Sequence, residues 1–338
     1  MNMLFIGNFL SRSNGSQSIS ELIADRLQQE GIIHALKASH AQNRILRLGH
    51  ILVSSFFKRY SVMHIDVFSG NSFLFARLAS FIGKVRGKKI VLTLHGGALH
   101  EYYRNREEVF KRLFKNTIVR TPSNFLRNFF DSQNLSVSYC PNPVKLTDFD
   151  YQRSNVKPFG LLWVRAFAKI YNPNMAVLVL QQIVNDFPEA TLTMVGPDKG
   201  QQKETEELIK RLNLIDRVTI TGPVANNKLA IYYQSHAVYL NTTSYESFGV
   251  AVVEAASCGV PIVSFKIGEI PYIWSDERNI LLCDSGDIVT MAAQVKRILS
   301  DAKLSQHLSV NARKRAEDFS WEKIKCRWTE LLTNNERN

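Results

Sequence analysis

The sequence predicts an α/β fold built as two domains, each with a parallel sheet, and three observations carry that prediction. Short apolar, β-branched runs alternate with amphipathic segments through both halves, the pattern of repeated βα units. At 338 residues and 45% hydrophobic, the chain is long enough for two full cores. A proline-bounded passage, Pro141-Asn-Pro-Val-Lys-Leu-Thr-Asp-Phe149, separates the two sets of runs, and its prolines and lack of apolar periodicity read as a linker and hinge.

The strands follow in order. In the first half the apolar runs place them at 3–7, 33–37, 62–68, 89–94, 117–120 and 137–140; in the second, at 160–164, 191–195, 218–221, 237–240, 261–265 and 279–282. Two Rossmann-like domains follow. The closing segment from Phe319 reads as a helix capped by Ser320, with Trp321, Ile324, Trp328 and Leu331 or Leu332 on one stripe. That stripe suits packing back across the domains. The expected division is 1–147 with the returning helix 320–338, and 148–319.

Composition narrows the function. No apolar run approaches the roughly 20 residues of a membrane span, and Met1-Asn-Met-Leu-Phe-Ile6 resembles a first strand more than a signal peptide, so a cytoplasmic protein is expected. Cys140, Cys258, Cys283 and Cys326 are scattered without metal-ligand spacing, which fits reduced thiols. Residues 1–150 hold 20 Lys/Arg against 10 Asp/Glu, whereas the remainder is nearly balanced at 22 against 20. The first half therefore suits an anionic surface: a membrane leaflet, a phosphorylated lipid carrier or nucleic acid.

In open α/β sheets a ligand sits beyond the carboxyl ends of the strands, so the residues just after each strand matter most. These include Asn14-Gly15-Ser16, His95-Gly96-Gly97, Arg165, Gly196-Pro197 and Glu246. The last opens Glu246-Ser-Phe-Gly-Val-Ala-Val-Val-Glu254, a loop running into a helix start. Gly249 lets a ligand approach the backbone, and the amides of Phe248, Gly249 and Val250 are donors at that start. One carboxylate at the loop and another two turns along the helix suit a phosphorylated sugar. An isolated pair of glutamates is usually solvated. Here Glu254 continues into Ala255-Ala-Ser-Cys-Gly-Val-Pro-Ile-Val263, too apolar for a solvated helix.

This pattern resembles the family 4 retaining glycosyltransferases of GT-B architecture. The matching residues are the two glutamates eight apart with Phe248-Gly249 and the Cys-Gly-Val-Pro continuation, Gly268-Glu269-Ile270-Pro271, Val195-Gly196, Thr121-Pro-Ser123, Pro141-Asn-Pro-Val-Lys145 and Phe319-Ser-Trp321. The resemblance runs nearly end to end and is strongest over 160–280. It implies two Rossmann-like domains with parallel sheets facing a central cleft and a C-terminal helix crossing back to the N-terminal domain. It further implies retaining transfer of a sugar from a nucleotide diphosphate sugar to a hydroxyl, with no metal and no cofactor, on a glycan or lipid-linked acceptor in cell-surface polysaccharide or glycolipid assembly.

By the same resemblance Glu254 binds the ribose hydroxyls, Glu246 the donor-sugar hydroxyls, and the amides around Phe248, Gly249 and Val250 the sugar or diphosphate. Arg165 neutralises the diphosphate, Gly196 belongs to the donor site, Gly15 closes over the phosphates and His95 faces the transferred sugar. Physical chemistry supports Arg165 independently: a departing nucleoside diphosphate gains charge, and without a divalent ion a fixed cation and amide dipoles must absorb it. One departure stands out. The family places a lysine five or six residues after the arginine, where this chain has Ile170 and Tyr171; Lys169 or the Tyr171-Asn-Pro173 turn is left to do that work.

Asp148-Phe149-Asp150 matches a metal-binding spacing but sits in the proline-bounded linker. The segment Asn43 to Tyr60 combines bulky apolar residues with Arg44, Arg47, Lys58 and Arg59, so it reads either as an amphipathic helix packed on its own sheet or as a peripheral contact with an anionic membrane at its inner face. A nucleotide-sugar epimerase or phosphorylase on the same architecture is the rival enzyme reading. Nucleic-acid binding is not expected, because the basic half lacks aromatic-interleaved basic strands and Cys/His modules.

Overall fold

A computed structural model describes residues 1–9, 17–153 and 156–333. The chain divides into two compact units, Met1–Pro143 with Ile324 onward, and Val144–Lys323.

The first unit holds strands β1 (Asn2–Ile6), β2 (His34–Lys37), β3 (Val62–Val67), β4 (Lys89–Leu94), β5 (Ile118–Thr121) and β6 (Ser138–Tyr139). All pair in parallel in the order β2-β1-β3-β4-β5-β6. Between them run helices α1 (Ile19–Gln29), α2 (Arg44–Phe57), α3 (Ser72–Val85), α4 (Leu99–Arg104), α5 (Glu107–Phe114) and α6 (Asn124–Ser132). Helices cover both faces of such a sheet, so the strands read as continuous apolar runs rather than alternating ones. Side-chain caps set the helix starts where the sequence offers them: Ser18 accepts from the Glu21 amide and Ser123 from the Leu126 amide. The core includes a cluster of aromatic rings in which Phe73 stacks on Phe110 at 4.7 Å between centroids and Phe110 on Phe130 at 5.8 Å.

The second unit holds β7 (Lys157–Val164), β8 (Thr191–Val195), β9 (Val218–Gly222), β10 (His236–Asn241), β11 (Ile262–Phe265) and β12 (Leu281–Cys283), parallel in the order β12-β11-β10-β7-β8-β9. Its helices are α7 (Pro173–Ile183), α8 (Gln202–Arg211), α9 (Leu229–Ser235), α10 (Val250–Ser257), α11 (Ile270–Ile273), α12 (Ile288–Ser300), α13 (Ala302–Ala316) and α14 (Trp321–Thr333), the last ending among the residues grouped with the first unit. Trp163, Phe167, Leu180 and Met194 lie in its core.

All twelve expected strands are present, with small shifts. Strand β7 begins at Lys157, three residues before the expected start, because its outer end pairs with His236 across an irregular register. The passage 141–149 is anchored rather than loose. Val144 donates to the Phe319 carbonyl at 2.8 Å and bridges to Ser320, and Leu146–Asp148 forms a short 3-10 turn. The α14 stripe is as expected: Trp321, Ile324, Trp328 and Leu332 are all buried, and Ser320 Oγ accepts from the Lys323 amide at 3.4 Å.

Candidate functional site

In the second sheet the strand order reverses between β7 and β10, with β8 and β9 on one side and β11 and β12 on the other. A doubly wound sheet opens a crevice for ligand at such a reversal, beyond the carboxyl ends of the two strands. Arg165 directly follows β7, and Glu246 follows β10 by a short loop. Arg165 Nη2 donates to Glu246 Oε2 at 2.5 Å, and the two side chains are 14% and 11% exposed. Glu246 Oε1 also accepts from the Phe248 amide at 3.5 Å.

Glycines allow both groups to sit where they do. Gly196 has φ 150°, and a Cβ there would fall 1.8 Å from the Arg165 carbonyl oxygen. Gly268, at φ 54°, would place a Cβ 2.0 Å from the Glu246 carbonyl oxygen, which accepts from the Glu269 amide at 3.0 Å. Larger residues at either position would push the site apart.

The loop after β7 is laced to the loop after β10. Asn172, in the left-handed conformation at φ 47°, donates from Nδ2 to the Thr242 carbonyl at 3.1 Å and to Ser244 Oγ at 2.6 Å. The Ser244 amide donates to Ile170 O at 2.8 Å, and Thr242 Oγ1 to Tyr171 O at 2.8 Å. This lacing brings the Tyr171 ring within 5.3 Å of the Arg165 guanidinium, while Lys169 stands exposed on its turn. Of the two residues offered for the family's second cation position, the aromatic one lies against the arginine.

Helix α10 starts at Gly249, whose φ of 88° turns the loop into the helix, and Phe248 and Gly249 are buried beside Val250. About one turn on, Glu254 is buried and its Oε2 accepts from the Tyr233 hydroxyl at 3.1 Å. Burial pushes this carboxyl up to about 7, with the Tyr233 hydrogen bond and the Arg165 charge only partly opposing it. Burial is the largest single influence and works against the Arg165 charge as well, but Glu246 together with Tyr239, Tyr171 and Tyr233 outweighs it and holds the guanidinium above its usual range.

In the first unit the strand order reverses between β1 and β3. Asp66, near the end of β3, accepts from Ser20 Oγ on α1 and pairs with His95 Nε2 at 3.2 Å, just past the end of β4. Gly7 makes room for it, since a Cβ there would lie 2.3 Å from Asp66 Oδ2. Burial opposes the Asp66 charge, yet His95, Ser20 and His64 outweigh it and hold the carboxyl below its usual range. The His95 ring also stacks on Phe68 at 5.3 Å.

The structure thus gathers Arg165, Gly196, Glu246, Phe248, Gly249, Val250 and Glu254 at one end of one sheet, whereas His95 belongs to the other unit and Gly15 lies outside the described residues. Sequence reasoning missed Asp66, Ser20, Gly7 and Tyr233. Asp66 is the one acidic residue between 31 and 100, and a lone acid at a strand end was the available signal. Among the described residues no group of three or more His, Cys, Asp and Glu is disposed to hold a metal ion, and Asp148 pairs with Lys145 at 2.7 Å.

Comparison with known proteins bears on this geometry. Over 148 residues the chain is 30% identical to a D-inositol 3-phosphate glycosyltransferase of Xylanimonas cellulosilytica, covering 43% of this chain and 36% of that protein. Over 165 residues it is 32% identical to an N-acetyl-alpha-D-glucosaminyl L-malate synthase of Bacillus anthracis, covering 48% and 42%. The match therefore spans less than half the length of these curated relatives. Among solved structures, sucrose-phosphate synthase from Thermosynechococcus elongatus superposes with a TM-score of 0.81 at 20% identity over 98% of both chains. Anabaena HepE in complex with UDP and glucose does so at 0.77 and 18% identity, over 99% of this chain and 100% of that one. The fold is therefore GT-B. Residues 145–315, half of the chain and the whole neighbourhood of Arg165, Glu246 and Glu254, match the family described as glycosyl transferases group 1, and the chain belongs to that family.

Proposed function

We propose that this protein transfers a sugar from a nucleoside diphosphate donor to a hydroxyl acceptor, with retention of configuration and without a metal, in the assembly of a cell-surface polysaccharide or glycolipid. The observation that carries this reading is the largely shielded Arg165–Glu246 pair at the order reversal of the second sheet, beside the glycine-opened start of α10. In the reaction the bond from the sugar C1 to the β-phosphate oxygen breaks with its electron pair going to the phosphate, a bond from C1 to the acceptor oxygen forms, and the acceptor proton is released. Arg165 is always charged and forks onto phosphate oxygens, so it meets the charge that grows on the leaving group. Glu246 takes the sugar hydroxyls and Glu254 the ribose hydroxyls, while the Phe248, Gly249 and Val250 amides and the Gly196 turn border the diphosphate. Lys169 is a further phosphate contact, made by its exposed side chain from the fixed turn, and His95, held by Asp66, is assigned to the transferred sugar.

The UDP and glucose held by the HepE structure support a nucleoside diphosphate sugar as donor. On this reading the donor belongs to residues 148–319 and the acceptor to residues 1–147 with 320–338. Thermal-shift titration with UDP, GDP and ADP sugars tests the site. Stabilisation by one donor is expected, and it is lost in Glu254→Ala and Arg165→Ala; stabilisation that survives both substitutions overturns the assignment.

A peripheral contact of the basic first unit with an anionic membrane, on the cytoplasmic side, belongs to the same reading. Among the described residues no helix is long and apolar enough to cross a membrane. Helix α2 instead turns Ile45, Leu46, Val53, Phe56 and Phe57 to solvent, Ile45 being 81% and Phe57 72% exposed, while Ile51, Ser54 and Ser55 face inward. An apolar stripe turned outward and flanked by Arg44 and Arg59 suits the headgroup boundary of an anionic leaflet. Sedimentation with anionic vesicles at low salt is the expected result, and a wholly soluble protein rejects the contact.

A further inference from the structure

Helix α3 is also turned inside out. Leu74, Phe81 and Val85 are 47%, 66% and 69% exposed, whereas its buried side consists mainly of small residues, among them Ala76, Ala79, Ser80 and Gly83. A surface helix of a globular protein ordinarily shows the opposite arrangement. Between α3 and α5 lies a cavity of about 300 Å³ walled by Leu74, Leu78, Phe81, Val109 and Leu113. That volume is at the lower end of ligand sites.

The rim is cationic. Arg77, Lys84 and Arg112 line the cavity, and no carboxylate does. Lys84 Nζ donates to the Arg112 and Leu113 carbonyls at 2.9 and 3.0 Å, at the end of α5, and keeps a third N–H. The Arg77 and Arg112 side chains are exposed, and among the described residues neither makes an ion pair. Ser80 lines the same cavity at 1% exposure, and its Oγ has no hydrogen-bond partner among the described residues. A buried hydroxyl normally has one. The surrounding sequence favours an anionic partner: residues 72–115, which contain both walls, hold ten Lys and Arg against three acids, Glu101, Glu107 and Glu108.

We propose that this cavity binds a single anionic phospholipid, with hydrocarbon along the α3–α5 wall and the phosphate between Arg77 and Arg112. The charge of the rim selects an acidic lipid over a zwitterionic one, and the apolar wall selects a lipid over a free phosphate. Supply of the lipid rests on the membrane contact proposed above, but occupancy of the cavity does not, so the two can fail separately.

The test titrates the intact protein, in separate experiments, with monomeric dihexanoyl phosphatidylglycerol, dihexanoyl phosphatidylcholine and inorganic phosphate, following the methyl NMR signals of Leu78, Val109 and Leu113. Saturable shifts with phosphatidylglycerol are expected, with affinity about tenfold lower for phosphatidylcholine and lower still for the Arg77→Gln/Arg112→Gln variant, which loses both charge-assisted contacts. Phosphate should leave the methyl signals unmoved. Both arginines are exposed, so the variant keeps the fold, and unchanged distant signals verify this. Absence of saturable shifts, equal response to the two lipids, full affinity in the double variant, or shifts reproduced by phosphate alone each overturn the proposal. An Ile45→Asp/Phe57→Asp variant separates the readings: it should lose vesicle sedimentation and keep the monomeric-lipid titration.

Discussion

Two buried carboxyls, one in each unit near an order reversal of its sheet, respond to burial in opposite ways. Glu254 in the second unit has the Tyr233 hydroxyl as its hydrogen-bond donor and is pushed up to about 7. Asp66 in the first unit is no less buried, but His95, Ser20 and His64 surround it and its carboxyl is held below the usual range. Asp66 has its donors already. Glu254 is short of them, which is the condition expected of a carboxylate whose partners arrive with a hydroxyl-bearing ligand. The arginine of the second unit likewise has its partner within the protein, Glu246, and under the proposed function phosphate competes for it.

The largest effect expected from breaking this comparison is at Arg165. Arg165→Ala should lower kcat by about 10²–10³-fold, the usual cost of removing one group that stabilises transition-state charge. Arg165→Lys should recover only part of it, because the two-pronged geometry is lost. Steady-state kinetics with the donor found by thermal shift measure both, and unchanged turnover would move the leaving-group charge elsewhere.

Next is Glu254→Gln, which should alter how stability depends on pH. The native carboxyl titrates near 7 against 4.5 for an ordinary glutamate, so its favourable contribution is complete below about 4.5 and is lost as pH rises through about 7. Relative to wild type the glutamine variant should therefore gain stability across that window, by roughly 3 kcal/mol at the upper end at about 1.4 kcal/mol per pH unit. Urea unfolding from pH 4.5 to 8 reads this difference, and a flat one removes the contrast between the two units.

Asp66→Asn probes the opposite sign. Its native carboxyl is depressed, so the stabilisation is present above 3.8 and lost as pH falls through the lower folded value. The variant should be less stable than wild type by about 2 kcal/mol at neutral pH, the scale of a hydrogen bond to a charged group. The gap should close in acid, and a gap that widened there would mean that Asp66 carries no charge in the folded protein.

The two units also differ in how far they can be read in advance. Every strand was legible as an apolar run, because sheets covered on both faces leave no alternation to confuse the pattern. The placement of Arg165, Gly196, Glu246 and Gly249 was legible because each follows an apolar run read as a strand or opens a helix. The Asp66–His95 and Glu254–Tyr233 pairs were not legible. They join residues 29 and 21 positions apart, and no local periodicity encodes which strand ends become neighbours. Helix α2 was recognisable as amphipathic from its composition, but whether its apolar stripe faced the sheet or the solvent depended on Ser54 and Ser55 taking the inner positions.

Trp328 has a practical consequence for dissecting the molecule. Its ring packs beside His64 at 5.3 Å and lies 3.9 Å from the guanidinium of Arg120, a side chain 1% exposed whose pKa burial and the neighbouring Arg327 charge bring down to about 9. A gene fragment stopping at Pro143 would discard that indole and leave a desolvated cation facing a hole. Anyone wishing to express the first unit in isolation must therefore splice the final helix back onto it, because a cut at the proline passage divides the chain but not the folding unit.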